Sequence, residues 1–283
     1  MTAGLLALVL SAYPVGAPPG DSAPASGYNP RIPDTAGHAS VEGTGAAEPI
    51  ATGPAPRCLP PAMGLVYEPA YCLERHLHGS PGPYYPQAGD IVFFVSDTPL
   101  WPLLYAMALT GEPYHVGVVV RTPDESFAVL EAGPPESAVQ VQISPLPQRL
   151  EDYSGRVYIR RRAVPLTPEQ SDALTGFAGR QEGKPYAIVR FLLQGTPFRS
   201  RGPVRTEWLG KSRGEPSTYF CSELAMEALV AAGLVDPCTA RPRATNMQDM
   251  FYDRSDNPYI DKTLKLYPWW DPPQQWVPEG CGR

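Results

Sequence analysis

The order of its predicted elements most constrains what this chain can fold into: short β-type segments come first, and the clearest helices follow. Apolar runs predict five strands, over residues 90–95, 115–120, 127–131, 139–143 and 157–160. A capping box at Thr167 predicts a helix that ends near Gly183, and an apolar stripe predicts another over residues 220–232. A further short helix is expected over residues 101–109. Strands followed by helices are typical of α+β proteins, so we predict an antiparallel five-stranded sheet packed against helices.

Composition divides the remainder of the chain. Residues 1–61 hold 11 of the 36 prolines and few charged side chains, so they cannot bury enough apolar surface to fold. Residues 1–17 resemble a signal peptide, with an apolar stretch and a small-x-small cleavage site, and residues 18–60 then form a disordered Pro/Gly/Ala-rich linker. We place a folded domain at residues 61–255 and an aromatic, Pro-rich C-terminal tail at residues 256–283.

Charge and hydropathy limit the partners and the compartment. The formal net charge is −6, and the chain has no basic footprint, so we expect no nucleic-acid partner. No run approaches the roughly 18 apolar residues that a transmembrane helix needs. A cleaved signal would place the protein in the periplasm, the envelope or the extracellular space, where it could contact the cell envelope. Without export the protein would be cytoplasmic. The sequence leaves its oligomeric state open.

One predicted hairpin brings two titratable side chains together. If the hairpin turns at Pro123, His115 lies directly opposite Glu131 on the same face of the sheet. A carboxylate in that position can accept one imidazole N–H, fix the tautomer and raise the basicity of the other nitrogen. The alternative is a structural ion pair at a sheet edge.

A cysteine in the first turn of a helix completes this set. Cys221 begins the helix predicted over residues 220–232 and lies on its apolar stripe, where the helix dipole and unpaired N–H groups favour a thiolate. Cysteine, histidine and a carboxylate together make a nucleophile, a base and a group that orients the base. The alternative is a buried, inert cysteine.

The other four cysteines leave several arrangements open. If Cys221 is a free thiol, the rest can form two disulfides in three pairings, or they can stay reduced. Proximity in the sequence favours the pairs Cys58–Cys72 and Cys238–Cys281.

Two rival sites have weaker patterns. Residues 210–214 fit the G-x-S-x-G motif of serine hydrolases, but no apolar strand precedes Ser212 and no histidine follows it. A metal site from Cys72, His76 and His78 would have a spacing that matches no common zinc pattern. We therefore predict no metal and no cofactor.

Several motifs of the chain resemble a known family. They are Gly89–Phe94, His115–Val119, Val129–Ala132, Gly183–Tyr186 and Tyr219–Leu224. In this order they are similar to the circularly permuted NlpC-like cysteine hydrolases, the YiiX-type branch of the papain-like fold, which is related to the lecithin retinol acyltransferase group. The resemblance implies a permuted papain-like (NlpC-type) fold in which the five-stranded sheet packs against the cysteine-bearing helix.

The resemblance also implies a role for each matched residue. Cys221 would be the nucleophile, His115 the general base and Glu131 the residue that orients it. Tyr186 matches a tyrosine near the site and would line the pocket or help to hold the oxyanion, or it simply packs. The chain departs from the family in an insertion over residues 198–214 and in the C-terminal tail.

These observations predict a thiol hydrolase that cleaves an amide bond through an acyl-enzyme. Its substrate would be a peptide, an isopeptide or, if the chain is exported, a cell-wall peptide. One alternative is a lipid acyltransferase or thioesterase of the same fold, which would take a small acyl substrate. The other is a binding domain without catalysis.

Overall fold

A computed structural model of the chain describes residues 61–67, 70–73, 76–97, 110–133, 139–194, 196 and 199–279. The predicted signal peptide over residues 1–17, the linker over residues 18–60 and the helix over residues 101–109 lie outside this described part. Within it, no helix is both long enough and apolar enough to cross a membrane.

The described strands belong to one antiparallel sheet. They are β1 (Leu65–Tyr67), β2 (Pro81–Pro83), β3 (Ile91–Val95), β4 (His115–Arg121), β5 (Phe127–Ala132), β6 (Val141–Pro145), β7 (Arg156–Arg160) and β8 (Gln274–Val277). Their order across the sheet is β2-β1-β8-β7-β3-β4-β5-β6, and every neighbouring pair is antiparallel.

The predicted fold class is therefore wrong. We expected a five-stranded sheet of the permuted papain-like kind, and the sheet has eight strands. Strands β3 to β7 coincide with the predicted segments, whereas β1, β2 and β8 have only three or four residues each, too few to show a hydrophobic period. Strand β8 pairs with both β1 and β7, so residues 256–283, which we set apart as a tail, supply an interior strand of the sheet.

Helices cover both faces of the sheet. They are α1 (Leu146–Glu151), α2 (Pro168–Gln181), α3 (Ile188–Gln194), α4 (Pro203–Leu209), α5 (Cys221–Ala231), α6 (Met247–Tyr252) and α7 (Pro258–Thr263). The two predicted long helices correspond to α2 and α5. Helix α2 begins with the expected capping box, in which the Gln170 backbone N–H donates to Thr167 Oγ1 at 3.2 Å and the Gln170 side chain accepts from the Thr167 backbone.

Two apolar cores lie on opposite faces of the sheet because side chains alternate along each strand. On one face, Val116 and Val118 of β4 pack in a cluster with Leu224 and other side chains of α2, α5 and α6. On the other face, Val119 of β4 packs in a cluster with Leu146 and neighbouring side chains of α1. The helix that carries Cys221 is thus held on the central strands of the sheet.

Asp90, which precedes β3, has a structural role. Its Oδ1 accepts the Arg162 backbone N–H at 2.7 Å, and its Oδ2 accepts the Tyr84 hydroxyl and the Gln87 backbone N–H at 3.0 Å each. Burial raises the pKa of Asp90 to about 7, against the lowering effect of these hydrogen bonds. The carboxyl ties the start of β3 to the end of β7 and takes no part in the site described below.

Candidate active site

The hairpin of β4 and β5 has a different register from the one predicted. Glu131 lies directly opposite Gly117, not His115, so the expected pairing is wrong by two residues. The reason is the turn: Thr122 and Ser126 close a three-residue loop, and Glu125 has a positive φ of 64°. A shift of two residues preserves the face on which each side chain lies, so His115 and Glu131 are still diagonal neighbours.

Gly117 leaves room for this diagonal contact. A Cβ atom at residue 117 would lie 2.4 Å from Val129 Cγ1, 3.0 Å from the Leu130 carbonyl oxygen and 3.4 Å from Glu131 Cβ. A larger residue would therefore crowd the carboxylate and its neighbouring strand. With glycine there, His115 Nε2 and Glu131 Oε2 approach to 2.9 Å.

Glu131 is a fully buried carboxylate with several donors. Its Oε1 accepts hydrogen bonds from Gln142 Nε2 at 3.1 Å, Ser144 Oγ at 3.2 Å and Arg149 Nε at 2.9 Å. Burial alone would raise its pKa, but hydrogen bonding and charge from His115, the charge of Arg149 and the Gln142 bond lower the pKa to about 2. Glu131 is therefore ionised at any physiological pH.

Arg149 of α1 ties this carboxylate to the second core. Besides its ion pair with Glu131, its guanidinium lies 4.3 Å from the centroid of the Phe94 ring and 5.2 Å from that of Tyr153. Phe94 also contacts the His115 ring, with centroids 5.6 Å apart. Packing and charge together fix the orientation of the Glu131 carboxylate.

Cys221 is the first residue of α5 and is almost fully buried. The preceding residue helps to define this helix start, since the Phe220 backbone N–H donates to Glu223 Oε2 at 3.3 Å. Cys221 Sγ lies 3.7 Å from Met247 Sδ at the start of α6. The Cys221 side chain is also a neighbour of His115, close enough to raise the pKa of the imidazole. The three predicted residues Cys221, His115 and Glu131 are thus brought together.

The protonation of His115 follows from these neighbours. Burial, the largest single effect, lowers its pKa, but hydrogen bonds to Cys221 and Glu131 and the charges of both outweigh it and raise the pKa to about 9. His115 is therefore an imidazolium at neutral pH. A cation beside a cysteine favours the thiolate, which is the reactive form of the side chain.

A small cleft, partly open to solvent, leads to Cys221. Its lining includes six residues with polar side chains: Thr110, Gln194, Arg201, Arg243, Thr245 and Asn246. Tyr186, Phe220 and Met247 supply its apolar part, and the Tyr186 and Phe220 rings meet edge to face with centroids 6.2 Å apart. The structure therefore places Tyr186 in the wall of the cleft.

A second buried carboxylate lies on the cleft side of α5. Glu223 Oε1 accepts from Arg190 Nη1 at 3.0 Å and from Arg243 Nε at 2.9 Å, and Arg190 Nη2 lies 2.9 Å from Glu223 Oε2. Arg201 forms a separate two-point pair with Asp249, at 3.2 and 3.3 Å. These ion pairs belong to α3, α5, α6 and the loops around them.

The rival sites are not assembled. Ser212 Oγ donates to Glu227 Oε2 at 2.6 Å rather than to a histidine. Among the described residues, no group of three His, Cys, Asp or Glu side chains could hold a metal ion. Cys72 and Cys238 are exposed free thiols, and Cys58 and Cys281 lie outside the described part of the chain.

Sequence reasoning missed the residues that surround the triad. Arg149 follows β6 on a helix of six residues that has no clear period. Gln142 and Ser144 alternate along β6, and this period-two pattern could have placed them on the face of Glu131 once the register was known. Arg243 lies in a short 3₁₀ helix, Pro242–Ala244, before α6 and has no local sequence signal.

Comparison with known proteins adds little to this picture. No protein-family model matches the chain, and no curated protein matches it. Among solved structures, the chain is similar to the crystal structure of metalloprotein yiiX from Escherichia coli O157:H7, with 24% sequence identity and a TM-score of 0.37. The match covers 53% of this chain and 67% of that one. This likeness is at most a partial likeness in fold, and it establishes neither the permuted papain-like arrangement nor a function.

Proposed function

We propose that the protein is a cysteine hydrolase that cleaves an amide bond through a Cys221–His115–Glu131 triad. The observation that carries the proposal is that His115 neighbours Cys221 and is hydrogen-bonded to Glu131 at 2.9 Å. A buried imidazolium beside a cysteine at the start of a helix is the arrangement that a nucleophilic thiolate requires. The open cleft gives a substrate access to that cysteine.

Each residue has one task in the proposed reaction. The Cys221 thiolate attacks the carbonyl carbon, forming a C–S bond as the carbonyl electron pair moves onto oxygen. The Cys221 backbone N–H, at the first position of α5, has no partner within the helix and can donate to that oxygen. The His115 imidazolium gives its proton to the leaving nitrogen as the C–N bond breaks. An amine is released, and the acyl group stays on Cys221 as a thioester.

Hydrolysis of the thioester returns the enzyme to its starting state. Water attacks the thioester carbon while neutral His115 takes a proton from it, and the C–S bond breaks to release a carboxylic acid and the thiolate. Glu131 stays ionised throughout and stabilises the imidazolium of the resting state.

The lining of the cleft supports an amide substrate. Its lining includes the hydrogen-bonding side chains of Gln194, Thr245 and Asn246, which suit the N–H and C=O groups of a peptide. A lipid acyl chain would need a continuous apolar channel beside Cys221. We therefore propose a peptide or isopeptide, including a cell-wall peptide if the chain is exported.

A lipid acyltransferase or thioesterase is the second candidate, and a surface beside the cleft favours it. Val189 on α3 and Val204 and Trp208 on α4 are 72%, 76% and 82% exposed. Residues 188–213 carry six Lys or Arg side chains against one Glu, in a chain of net charge −6. Exposed apolar side chains among cations suit the surface of an anionic membrane.

Alkylation of Cys221 across a range of pH tests the proposed pair. We expect the wild-type thiol to react with iodoacetamide faster at neutral pH than the thiol of the His115→Ala variant, because only the wild type has a cation beside Cys221. The Cys221-containing peptide is quantified by mass spectrometry, so that Cys72 and Cys238 do not contribute. Identical ordinary profiles for both proteins would contradict the proposal.

A substrate screen separates the candidate functions. Peptide amides and acyl esters are offered to the wild type and to the Cys221→Ser variant. Cysteine-dependent release from amides supports the hydrolase, and release from acyl esters alone supports the lipid enzyme. A reactive Cys221 that turns over neither class would indicate a binding domain that keeps the triad.

A further inference from the structure

We propose that Arg243 binds an anionic group of the substrate beside Cys221, so that the preferred amide carries a carboxylate close to the bond that is cleaved. This inference rests on the proposed function, since it names the substrate class of the same cleft. It is carried by the contacts and charges around Glu223, which differ from those of the triad.

Arg243 is only partly engaged by the protein. Its Nε donates to Glu223 at 2.9 Å, and its terminal nitrogens Nη1 and Nη2 have no partner among the described residues. The side chain lines the cleft together with Cys221 and keeps 17% of its surface exposed. Two parallel N–H groups that are free at the wall of a cleft form the fork that binds a carboxylate at two points.

The neighbouring arginines do not have this freedom. Arg190 uses Nη1 on Glu223 and Nη2 on the Thr218 backbone and hydroxyl, and its guanidinium lies 4.9 Å from the centroid of the Phe220 ring. Arg201 uses both terminal nitrogens on Asp249. Both guanidiniums are therefore held by the protein, and Arg243 alone among these three can offer two N–H groups to a ligand.

The ion pairs of this region hold more arginines than carboxylates. Three arginines, Arg190, Arg201 and Arg243, face only two carboxylates in their ion pairs, Glu223 and Asp249. A third buried carboxylate, Glu227, acts on Arg243 through its charge but forms no ion pair with it. Arg243 lies in the wall of the cleft that contains the nucleophile. The first turn of α5, which begins at Cys221, has N–H groups without a partner inside the helix, and these add partial positive charge. An anion that enters the cleft meets the Arg243 guanidinium at close range.

Among amide substrates, this favours peptides with a free carboxylate near the reacting carbonyl, such as a C-terminal carboxylate or an acidic side chain. The thiolate would otherwise repel such a group. Arg243 offsets that repulsion and lets a carboxylate lie in the cleft while the carbonyl meets Cys221. A neutral analogue would leave the Arg243 fork without a partner and would bind less well.

Two alkylating reagents of nearly equal size test the inference without knowledge of the substrate. Iodoacetate carries a carboxylate, whereas iodoacetamide is neutral, and both modify the thiolate by the same displacement of iodide. The measured quantity is the second-order rate constant of iodoacetate at Cys221 divided by that of iodoacetamide. Both are read from the modified peptide by mass spectrometry. We expect this ratio to fall roughly fivefold in Arg243→Gln, as loss of one partly exposed ion pair predicts.

Two further variants make the result specific. Arg243→Lys keeps the charge and should retain most of the ratio, and it remains available if Arg243→Gln does not fold. Arg121→Gln removes another ion-paired arginine, at the opposite end of β4 from His115 and roughly 20 Å away along the strand, and should leave the ratio unchanged. If Arg243→Gln has the wild-type ratio, the imidazolium alone attracts iodoacetate, and the inference is wrong.

The experiments can reject the role of Arg243 without rejecting the Cys221–His115–Glu131 triad, and the reverse. Loss of the His115-dependent reaction with neutral iodoacetamide would overturn the proposed function, whereas the reagent ratio is a separate measurement on each protein. A reactive Cys221 whose ratio ignores Arg243 would keep the hydrolase and reject the anionic substrate. Turnover of peptides with a C-terminal carboxylate against their carboxamides then extends the test to substrates, with an Arg243-dependent preference for the carboxylate expected.

Discussion

Two fully buried glutamates lie on either side of the candidate site, and their partners differ in one respect. Glu131 bonds His115 and Arg149, whereas Glu223 bonds Arg190 and Arg243. Histidine can lose its proton within the physiological range, and arginine cannot. The first cluster can therefore change its charge during a reaction, while the charges of the second stay fixed.

This difference shows how one kind of buried ion pair can serve two purposes. At Glu131 the carboxylate adjusts the proton affinity of a base, and the fixed Arg149 holds the carboxylate in place. At Glu223 neither arginine partner titrates. This glutamate accepts the Phe220 N–H at the start of α5, and it binds only Nε of Arg243, so Nη1 and Nη2 of Arg243 can bind a ligand. The two clusters should therefore respond differently to mutation and to pH.

The largest effect is expected when each carboxylate is neutralised. Glu223→Gln should lower the free energy of unfolding by about 3–5 kcal/mol at pH 8, because two arginines lose their buried counter-charge and neither can shed a proton. Glu131→Gln should cost less at that pH, since His115 can become neutral. Urea denaturation measures both. The gap between the two variants in lost free energy of unfolding should narrow at pH 5, because His115 would have to carry its charge there without Glu131. A loss in Glu131→Gln that is the same at pH 5 and pH 8 would contradict the comparison.

The pH dependence of stability sharpens the same contrast. The folded-state pKa of His115 is about 9, above the ordinary 6.5, so its contribution is fully present below pH 6.5 and is lost as the pH rises through 9. We expect the free energy of unfolding to fall by about 3 kcal/mol over that interval. His115→Gln should remove the slope, whereas Arg243→Gln should keep it. A wild-type curve that is flat from pH 6.5 to 9 would exclude the raised pKa.

Gly117→Ala should disturb only the first cluster. The added methyl would lie 2.4 Å from Val129 Cγ1 and 3.0 Å from the Leu130 carbonyl oxygen, which is backbone and cannot easily yield. We expect a loss of about 1–3 kcal/mol, measured by urea denaturation, together with slower alkylation of Cys221. Gly179→Ala is the matched control, because a Cβ there meets nothing within 4 Å on α2. It should be neutral or stabilising, and equal losses in both variants would refute the steric argument.

Arg149→Gln should have the smallest effect, on the pH profile alone. Removing a positive charge beside Glu131 makes the surroundings of His115 more negative, so the pKa of His115 should rise further, by roughly half a unit. The upper limb of the stability-against-pH curve would move to higher pH by the same amount. Arg149→Lys keeps the charge and should leave the limb near its wild-type position. A shift to lower pH would mean that Arg149 acts mainly through packing.

Hydrophobic pattern predicted the central part of this fold well. Strands β3, β4, β5 and β7 and helices α2 and α5 have several buried residues each, so their apolar pattern is visible in the sequence. Strand β6 has one buried residue, Val141, but its polar and apolar residues alternate. Strands β1 and β2 have three residues each and become strands only because β8 pairs beside them. Pairing between strands so far apart in the sequence leaves no local signal, so the eight-stranded sheet could not be predicted from the sequence pattern.

The candidate site was predictable in its residues and not in its geometry. Cys221, His115 and Glu131 could be named from their positions on predicted elements. The register of the hairpin that carries His115 and Glu131 could not be predicted, because it depends on a left-handed conformation of Glu125. That conformation is unusual for a residue other than glycine. Arg243 is brought to the cleft by tertiary packing alone, which single-sequence patterns do not report.

The position of β8 has a consequence for how the protein is made. Leu65 of β1 pairs with Val277 of β8, so the first and last described strands are neighbours although about 200 residues separate them. A ribosome that synthesises the chain from its N-terminus releases β1 and β2 early, and a two-stranded hairpin alone is marginally stable in water. These strands must wait, exposed, until almost the whole domain has emerged. Factors that shield nascent chains should therefore matter more for residues 65–83 than for the strands that carry His115 and Glu131.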